Sequence, residues 1–267
     1  MPWVHGRWDG TCRPAPVDDR LLSRVRGAPL ALAALLLAPA CAHAMHLAEG
    51  VLPLPWAAGW TLALLPLLAL GIRTLRLRSA GDPVFGPFLA MLAAAVFVIS
   101  CMPVPVPTAG TCSHPVGTGL AAVLVGPLLT VLVTLVALLL QALFLAHGGL
   151  TTLGADVWSM GVVGGFAGWL AFRGLRGLGA SLPVAAFAAG LAADWATYAT
   201  TAFELASALH GDEGLGRAFS AVALAFVPTQ LPLGLLEGAL TAGAVAFIAR
   251  RRPALLAFGA ARTPVSS

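Results

Sequence analysis

From residue 45 onward, polar positions are rare and gather between long apolar runs. The runs cover residues 56–72, 85–102, 117–146, 157–172, 182–208 and 218–249. Apolar runs of this length suit helices that cross a bilayer, which needs about 20 residues each. Arginines close three of them: Arg73, Arg76 and Arg78; Arg173 and Arg176; and Arg250, Arg251 and Arg252. Positive charge marks the cytoplasmic ends of membrane helices, so all three clusters are expected inside. That parity requires the run 117–146 to supply two short spans. Gly126-Pro127 sits in its middle, where proline removes a helix hydrogen bond. Irregular backbone at such a depth is tolerated where it lines a protein cavity. The expected fold is therefore an all-α membrane protein of about seven transmembrane helices, with Met45 outside and the C-terminus cytoplasmic. Pro228 is a candidate kink in the last run. Two segments then meet on the outer face: the one that begins at Met45, and the loop 103–115.

The first 44 residues read differently. Residues 1–26 are polar and hold five of the arginines, and an apolar stretch too short to span a bilayer follows at 28–38. Ala42-His43-Ala44 then supplies an A-x-A cleavage site, so 1–44 is expected to be a removed signal peptide. Initiation at Met45 instead would leave the same N-terminus. A lipoprotein cleaved at Cys41 is disfavoured by the poor match of Ala38-Pro39-Ala40 to a lipobox. The expected organisation is 1–44 removed, 45–252 as a transmembrane domain and 253–267 as a cytoplasmic tail.

Composition sharpens this picture. The chain of 267 residues is 59% hydrophobic and 10% charged, against about 25% charged in soluble proteins. This excludes an ordinary soluble enzyme and a disordered chain and points to a polytopic membrane protein in contact with lipid, expected in the cytoplasmic (inner) membrane. All 15 basic residues are arginine. They stand at the ends of apolar runs and form no continuous basic face, so the net charge of +4 implies no nucleic acid partner. The four cysteines have neither disulfide-framework nor zinc-site spacing. Without lysine there is no phosphate-binding P-loop, and the chain cannot hydrolyse ATP itself.

Candidate chemistry lies on the outer face. With Met45 first, the free amine, the deprotonated amide of His46 and the His46 imidazole form adjacent chelate rings. Such a tetragonal nitrogen set suits Ni(II) or Cu(II) and accepts Co(II). His114 is the candidate fourth nitrogen. Taken alone, each histidine is equally at home as an ordinary hydrogen-bonded polar residue. His147 is either a residue that orients a ligand or an interfacial loop histidine. Asp194, Glu204 and Glu237 fall inside apolar runs, where ionisable groups are functional candidates. Asp194 and Glu237 are expected to brace loops or to pack helices, because hard carboxylates suit this nitrogen set poorly. Glu49 and Gln230 are candidates to fix the N-terminal loop from opposite sides. Thr111, Ser113 and Thr118 are expected to hydrogen-bond within the outer loops.

The motifs around these residues resemble a known family. Met45-His46-Leu47-Ala48-Glu49-Gly50-Val51-Leu52-Pro53 is similar to the MHIxEGxLP start of the CbiM/NikM family. Those proteins are the substrate-binding membrane components of energy-coupling factor (ECF) importers for cobalt and nickel. Cys112-Ser113-His114-Pro115-Val116-Gly117-Thr118-Gly119 resembles the CSHPxGTG segment of that family. The segment from Gln141 through His147-Gly148-Gly149-Leu150-Thr151-Thr152 to Ala155 resembles its QAxxxxHGGLTTLGA block. Ala192 to Tyr198, and Pro228 to Gly238, resemble the last two. The resemblance implies seven spans and a metal held by Met45 (amine), His46 (amide and ring) and His114 (ring). It implies Co2+ or Ni2+ as cargo, no permanent cofactor and no enzymatic activity. It also implies three kinds of partner: a transmembrane coupling subunit, ABC-type ATPase subunits and a small accessory membrane subunit. Two other readings carry less. An intramembrane enzyme lacks paired Asp, G-x-S-x-G and HExxH motifs. A stand-alone metal permease would show an inverted repeat, which is absent.

Overall fold

A computed structural model describes residues 47–102, 104–106 and 111–258, and the side chains of all but 104–106, 111–112 and 257–258. Residues 1–46, with Met45, His46 and the expected signal peptide, lie outside the described residues, as does 259–267 of the tail. In chain order the elements are α1 (Leu54–Gly81), α2 (Phe85–Ser100), β1 (Val104–Val106), β2 (Thr111–Ser113), α3 (Thr118–Val125) and α4 (Pro127–Phe144). They continue with α5 (Leu153–Val157), a π-helical segment (Trp158–Gly164), α6 (Gly165–Gly177), α7 (Leu182–Leu209) and α8 (Leu215–Arg251). A 3-10 turn, Gly211–Glu213, links α7 to α8, and another, Pro253–Phe258, follows α8.

Among the described residues, four helical segments are long and apolar enough to cross a membrane: α1, α4, the stretch Leu153–Gly177 and α8. α2 is apolar but has 16 residues. α7 has 28 residues, about 42 Å at 1.5 Å per residue, and carries the buried Asp194 and Glu204. Side chains such as Met91, Phe144, Leu224 and Phe247 are exposed, as helices facing lipid require. Inside, one core of Val96, Val116, Leu129, Val131, Met160 and their neighbours joins the helices.

The break expected at Gly126-Pro127 is present, but its two halves are unequal. Gly126 stands at φ +87°, ψ 166°, and Pro127 opens α4 at a position where its missing N–H costs nothing. α3 has eight residues, all buried. At about 12 Å it cannot cross a hydrocarbon layer of about 30 Å. It is a half-helix enclosed by its neighbours, where free backbone groups can be satisfied by protein. The Arg78 guanidinium donates to the Val125 carbonyl at 3.1 Å, meeting the negative end of the α3 dipole.

Two further features differ from the apolar pattern. The loop 103–115 holds a short antiparallel hairpin, pairing Val104 with Ser113, Pro105 with Cys112 and Val106 with Thr111. α8 runs unbroken for 37 residues through Pro228 and Pro232. Between those prolines the Gln230 carbonyl accepts the Trp195 indole N–H at 3.0 Å.

α3, α7 and α8 approach at glycines. A Cβ on Gly119 would stand 2.7 Å from the Gly190 Cα, and one on Gly190 would stand 2.7 Å from the Glu237 carbonyl oxygen. Small residues permit this backbone contact. It brings the α3 end that carries the His114 loop against the two helices that support it.

Candidate metal-binding site

The segment Ser113 to Gly117 enters the bundle as extended chain and turns into α3 through Gly117 at φ +72°. Its buried peptide groups, unpaired by any helix, need partners, and α7 and α8 supply them. Glu237 of α8 accepts the Val116 N–H at 2.6 Å and the Gly117 N–H at 2.7 Å, one on each carboxylate oxygen. The Tyr198 hydroxyl of α7 donates to the His114 carbonyl at 2.8 Å, and the His114 N–H points at the same hydroxyl at 3.4 Å. The Gln230 amide donates to the Ser113 hydroxyl.

His114 is 3% exposed. Its Nδ1 lies 3.0 Å from the Pro115 carbonyl oxygen. A carbonyl can only accept, so Nδ1 carries the proton and Nε2 carries the lone pair. That tautomer is the one a metal ligand needs, oriented by a backbone carbonyl as is usual for ligating histidines. Burial pushes the imidazole pKa down to about 4. The ring is therefore neutral at physiological pH and need lose no proton to bind a cation.

A second wall is the loop between α4 and α5. Its tight path uses Ala146 at φ 49° and Gly148 at φ 82°. The His147 N–H donates to the Gln141 carbonyl at 3.3 Å. The His147 ring stands edge-on to the His114 ring, centroids 5.5 Å apart, and burial lowers its pKa. Beside it lies a cavity of about 180 Å³ lined by Ser100, Cys101, Leu145 and His147.

The same loop grips the segment that follows His46. The Glu49 carboxylate accepts the Thr151 hydroxyl at 2.5 Å and the Thr151 N–H at 3.2 Å. These bonds hold its pKa below the ordinary carboxylate value. Leu47 donates its N–H to Asp156 Oδ1 at 2.8 Å, and its carbonyl accepts the Thr152 hydroxyl. Gly149 lies so close that a Cβ there would stand 2.8 Å from the Glu49 nitrogen. The loop 145–152 thus touches the His114 ring on one side and residues 47–49 on the other.

Of the residues singled out in the sequence, Ser113, His114, His147, Gln230 and Glu237 come together, and Glu49 joins them through Thr151. Thr111 is described by its backbone in β2 alone, and Met45 and His46 lie outside the described residues. Glu237 braces the loop through the Val116 and Gly117 amides. Among the described residues both buried oxygens of Asp194 lack a hydrogen-bond partner, as does the Thr118 hydroxyl, and Asp194 packs against Gly234 of α8. No three His, Cys, Asp or Glu side chains among the described residues group closely enough to hold a metal ion. The residues sequence reasoning missed are Tyr198, Thr151, Thr152 and Asp156. Tyr198 had a signal, since it is the only tyrosine in the chain and ends one of the motif blocks. Asp156 lies one position beyond another block and had none.

Fold and site together define a helical membrane protein with a buried, lone-pair-bearing imidazole near one end of its bundle. Residues 46–255 match the family described as the cobalt uptake substrate-specific transmembrane region, and the chain belongs to that family. A cobalt transport protein of Geobacter sulfurreducens is 61% identical over 238 residues, 89% of this chain and 68% of that one. A cobalt transport protein of Sorangium cellulosum is 65% identical over 212 residues, 79% of this chain and 94% of that one. A solved structure described as a truncated transition metal transporter superposes with a TM-score of 0.68 at 26% identity, covering 77% of this chain and 99% of the other. These relatives are transport proteins, not enzymes.

Proposed function

We propose that this chain is the substrate-binding membrane component of an ECF-type importer for divalent cobalt or nickel. The cargo is held by the Met45 amine, the His46 amide and ring, and the His114 ring. Removal of residues 1–44, or initiation at Met45, is then a functional requirement, because an upstream peptide bond would consume the amine. The free amine has an ordinary pKa of about 7.7–8.0, so the metal displaces a proton there, while His114 is already neutral. Seven segments cross or enter the membrane in this reading, with α3 as the short third one, Met45 outside and the tail 253–267 in the cytoplasm. Energy comes from partners: a transmembrane coupling subunit, ABC-type ATPases and a small accessory membrane subunit.

One observation carries the reading. The loop 145–152 is bonded to Leu47 and Glu49, directly after His46, and presents His147 to the His114 ring. The two ligand-bearing segments are thus tied to a common support. The family of cobalt uptake regions and the names of the relatives agree with the cargo.

The test begins with the mature N-terminal residue, read by mass spectrometry on protein extracted from membranes. Titration with Co2+ and Ni2+ follows, on the wild type and on His46→Ala and His114→Ala. An N-terminus other than Met45, or unchanged binding in both variants, overturns the reading. Full-rate uptake by this chain without an ATPase partner would favour a stand-alone permease.

A further inference from the structure

We propose that Asp156 and Thr152 are positioning residues for the metal: they hold Leu47 by both of its peptide groups and so set where His46 can stand. The inference rests on the chelate proposed above. Leu47 is fixed three times. Its N–H donates to Asp156 Oδ1 at 2.8 Å and its carbonyl accepts the Thr152 hydroxyl. Its side chain packs with Leu52, Ala57 and Ala155. All three anchoring residues are buried: Leu47 is 3% exposed, Asp156 4% and Thr152 0%.

The clamp is rigid because it is one helical turn. The Asp156 N–H bonds the Thr152 carbonyl at 3.1 Å, so acceptor and donor keep a constant separation at the start of α5. The Leu47 N–H belongs to the peptide unit whose carbonyl carbon is that of His46. Fixing that N–H fixes the peptide unit that joins Leu47 to His46. A free tripeptide could close the same chelate rings, but nothing would direct them toward His114, which is held by other helices. Asp156 acts here as an acceptor for an amide and not as a ligand, in keeping with the poor match of a carboxylate to a nitrogen set.

The experiment uses the mature full-length chain in detergent, titrated with Ni2+ and followed by both affinity and the d–d absorption of the bound ion. Asp156→Ala and Thr152→Val should each weaken binding by about 10- to 100-fold, the usual effect of removing a group that orients a ligand. They should also shift the spectrum toward that of a peptide chelate without His114. Asp156→Asn keeps the oxygen that accepts from Leu47, and Thr152→Ser keeps the hydroxyl, so both should bind within about threefold of wild type. Both replacements are close to isosteric and keep the test decisive if the first two do not fold. Asp156→Ala binding as tightly as wild type with an unchanged spectrum overturns the clamp, and so does Asp156→Asn binding as weakly as a loss of the oxygen would predict. His46→Ala is the discriminating control. If it abolishes binding while Asp156→Ala leaves it intact, the clamp fails alone; if His46→Ala binds normally, the chelate itself fails.

Discussion

Glu237 gives the sharpest stability prediction, because both of its oxygens are committed to one turn of chain. The Val116 and Gly117 amides lie 2.6 and 2.7 Å from separate oxygens, and Glu237 is 2% exposed. Glu237→Ala leaves two buried N–H groups without acceptors. Each such orphan costs about 1–3 kcal/mol, so the variant should lose about 2–6 kcal/mol in total. Glu237→Gln keeps one acceptor and turns an NH2 group toward the other amide, so its loss should be about half. The cost falls on the loop that carries His114, and a factor of ten in affinity corresponds to about 1.4 kcal/mol. Glu237→Ala should therefore weaken Ni2+ binding at least tenfold as well as lowering the melting temperature in detergent. The order wild type, Gln, Ala should appear in both measurements. A Glu237→Ala protein with the stability and the metal affinity of wild type would show that water or another group takes over the two amides, and the reasoning would fail.

The buried neutral His114 makes stability depend on pH. Its folded pKa of about 4 lies below the unfolded value of 6.5, so the unfolded chain binds more protons between them and stability falls as pH drops through that window. Full depression is worth at most about 3 kcal/mol; denaturation at pH 7.5 and pH 5 should show the loss, and His114→Gln should abolish most of it. Gly119→Ala places a Cβ 2.7 Å from the Gly190 Cα and should cost about 1–3 kcal/mol by overpacking, read as a lower melting temperature. Gly117→Ala meets a positive φ of +72° and a Cβ contact of 3.3 Å with Ile99. It should cost about 1–2 kcal/mol and weaken metal binding with little effect on the rest of the bundle.

The membrane character was legible because lipid and core make the same demand on a helix, and the apolar runs record it. The break at Gly126-Pro127 was legible too, since only a glycine accepts φ +87° there and the proline follows at a helix start. The depth of α3 was not. A half-helix buried on all sides and a crossing helix have the same composition, and periodicity reports only that a side chain avoids water. The hairpin Val104–Val106 with Thr111–Ser113 escaped for a similar reason: three-residue strands are too short to show alternation, and Pro105 argues against a strand unless it lies at an edge.

The site divides along a different line. His114 could be named as a histidine of the outer loop, Glu237 and Gln230 as polar residues inside an apolar run, and their blocks resemble a family. Their contacts could not be read, because they bridge distant parts of the chain. Glu237 reaches Val116 across 121 positions, Tyr198 reaches His114 across 84, and Asp156 reaches Leu47 across 109. Local pattern carries no information over such separations. What it does carry is the chemistry that makes the contacts necessary. Residues 113–117 run as non-helical chain among buried neighbours, so their amides and carbonyls must find protein partners or destabilise the bundle. Polar groups inside apolar helices are few, and Glu237, Gln230 and Tyr198 are the ones that meet this segment. The scarcity of polar residues therefore narrows the choice of brace to a handful. The same scarcity explains why Asp156, hidden where α5 begins within the same apolar surroundings, is spent on a single backbone amide beside His46.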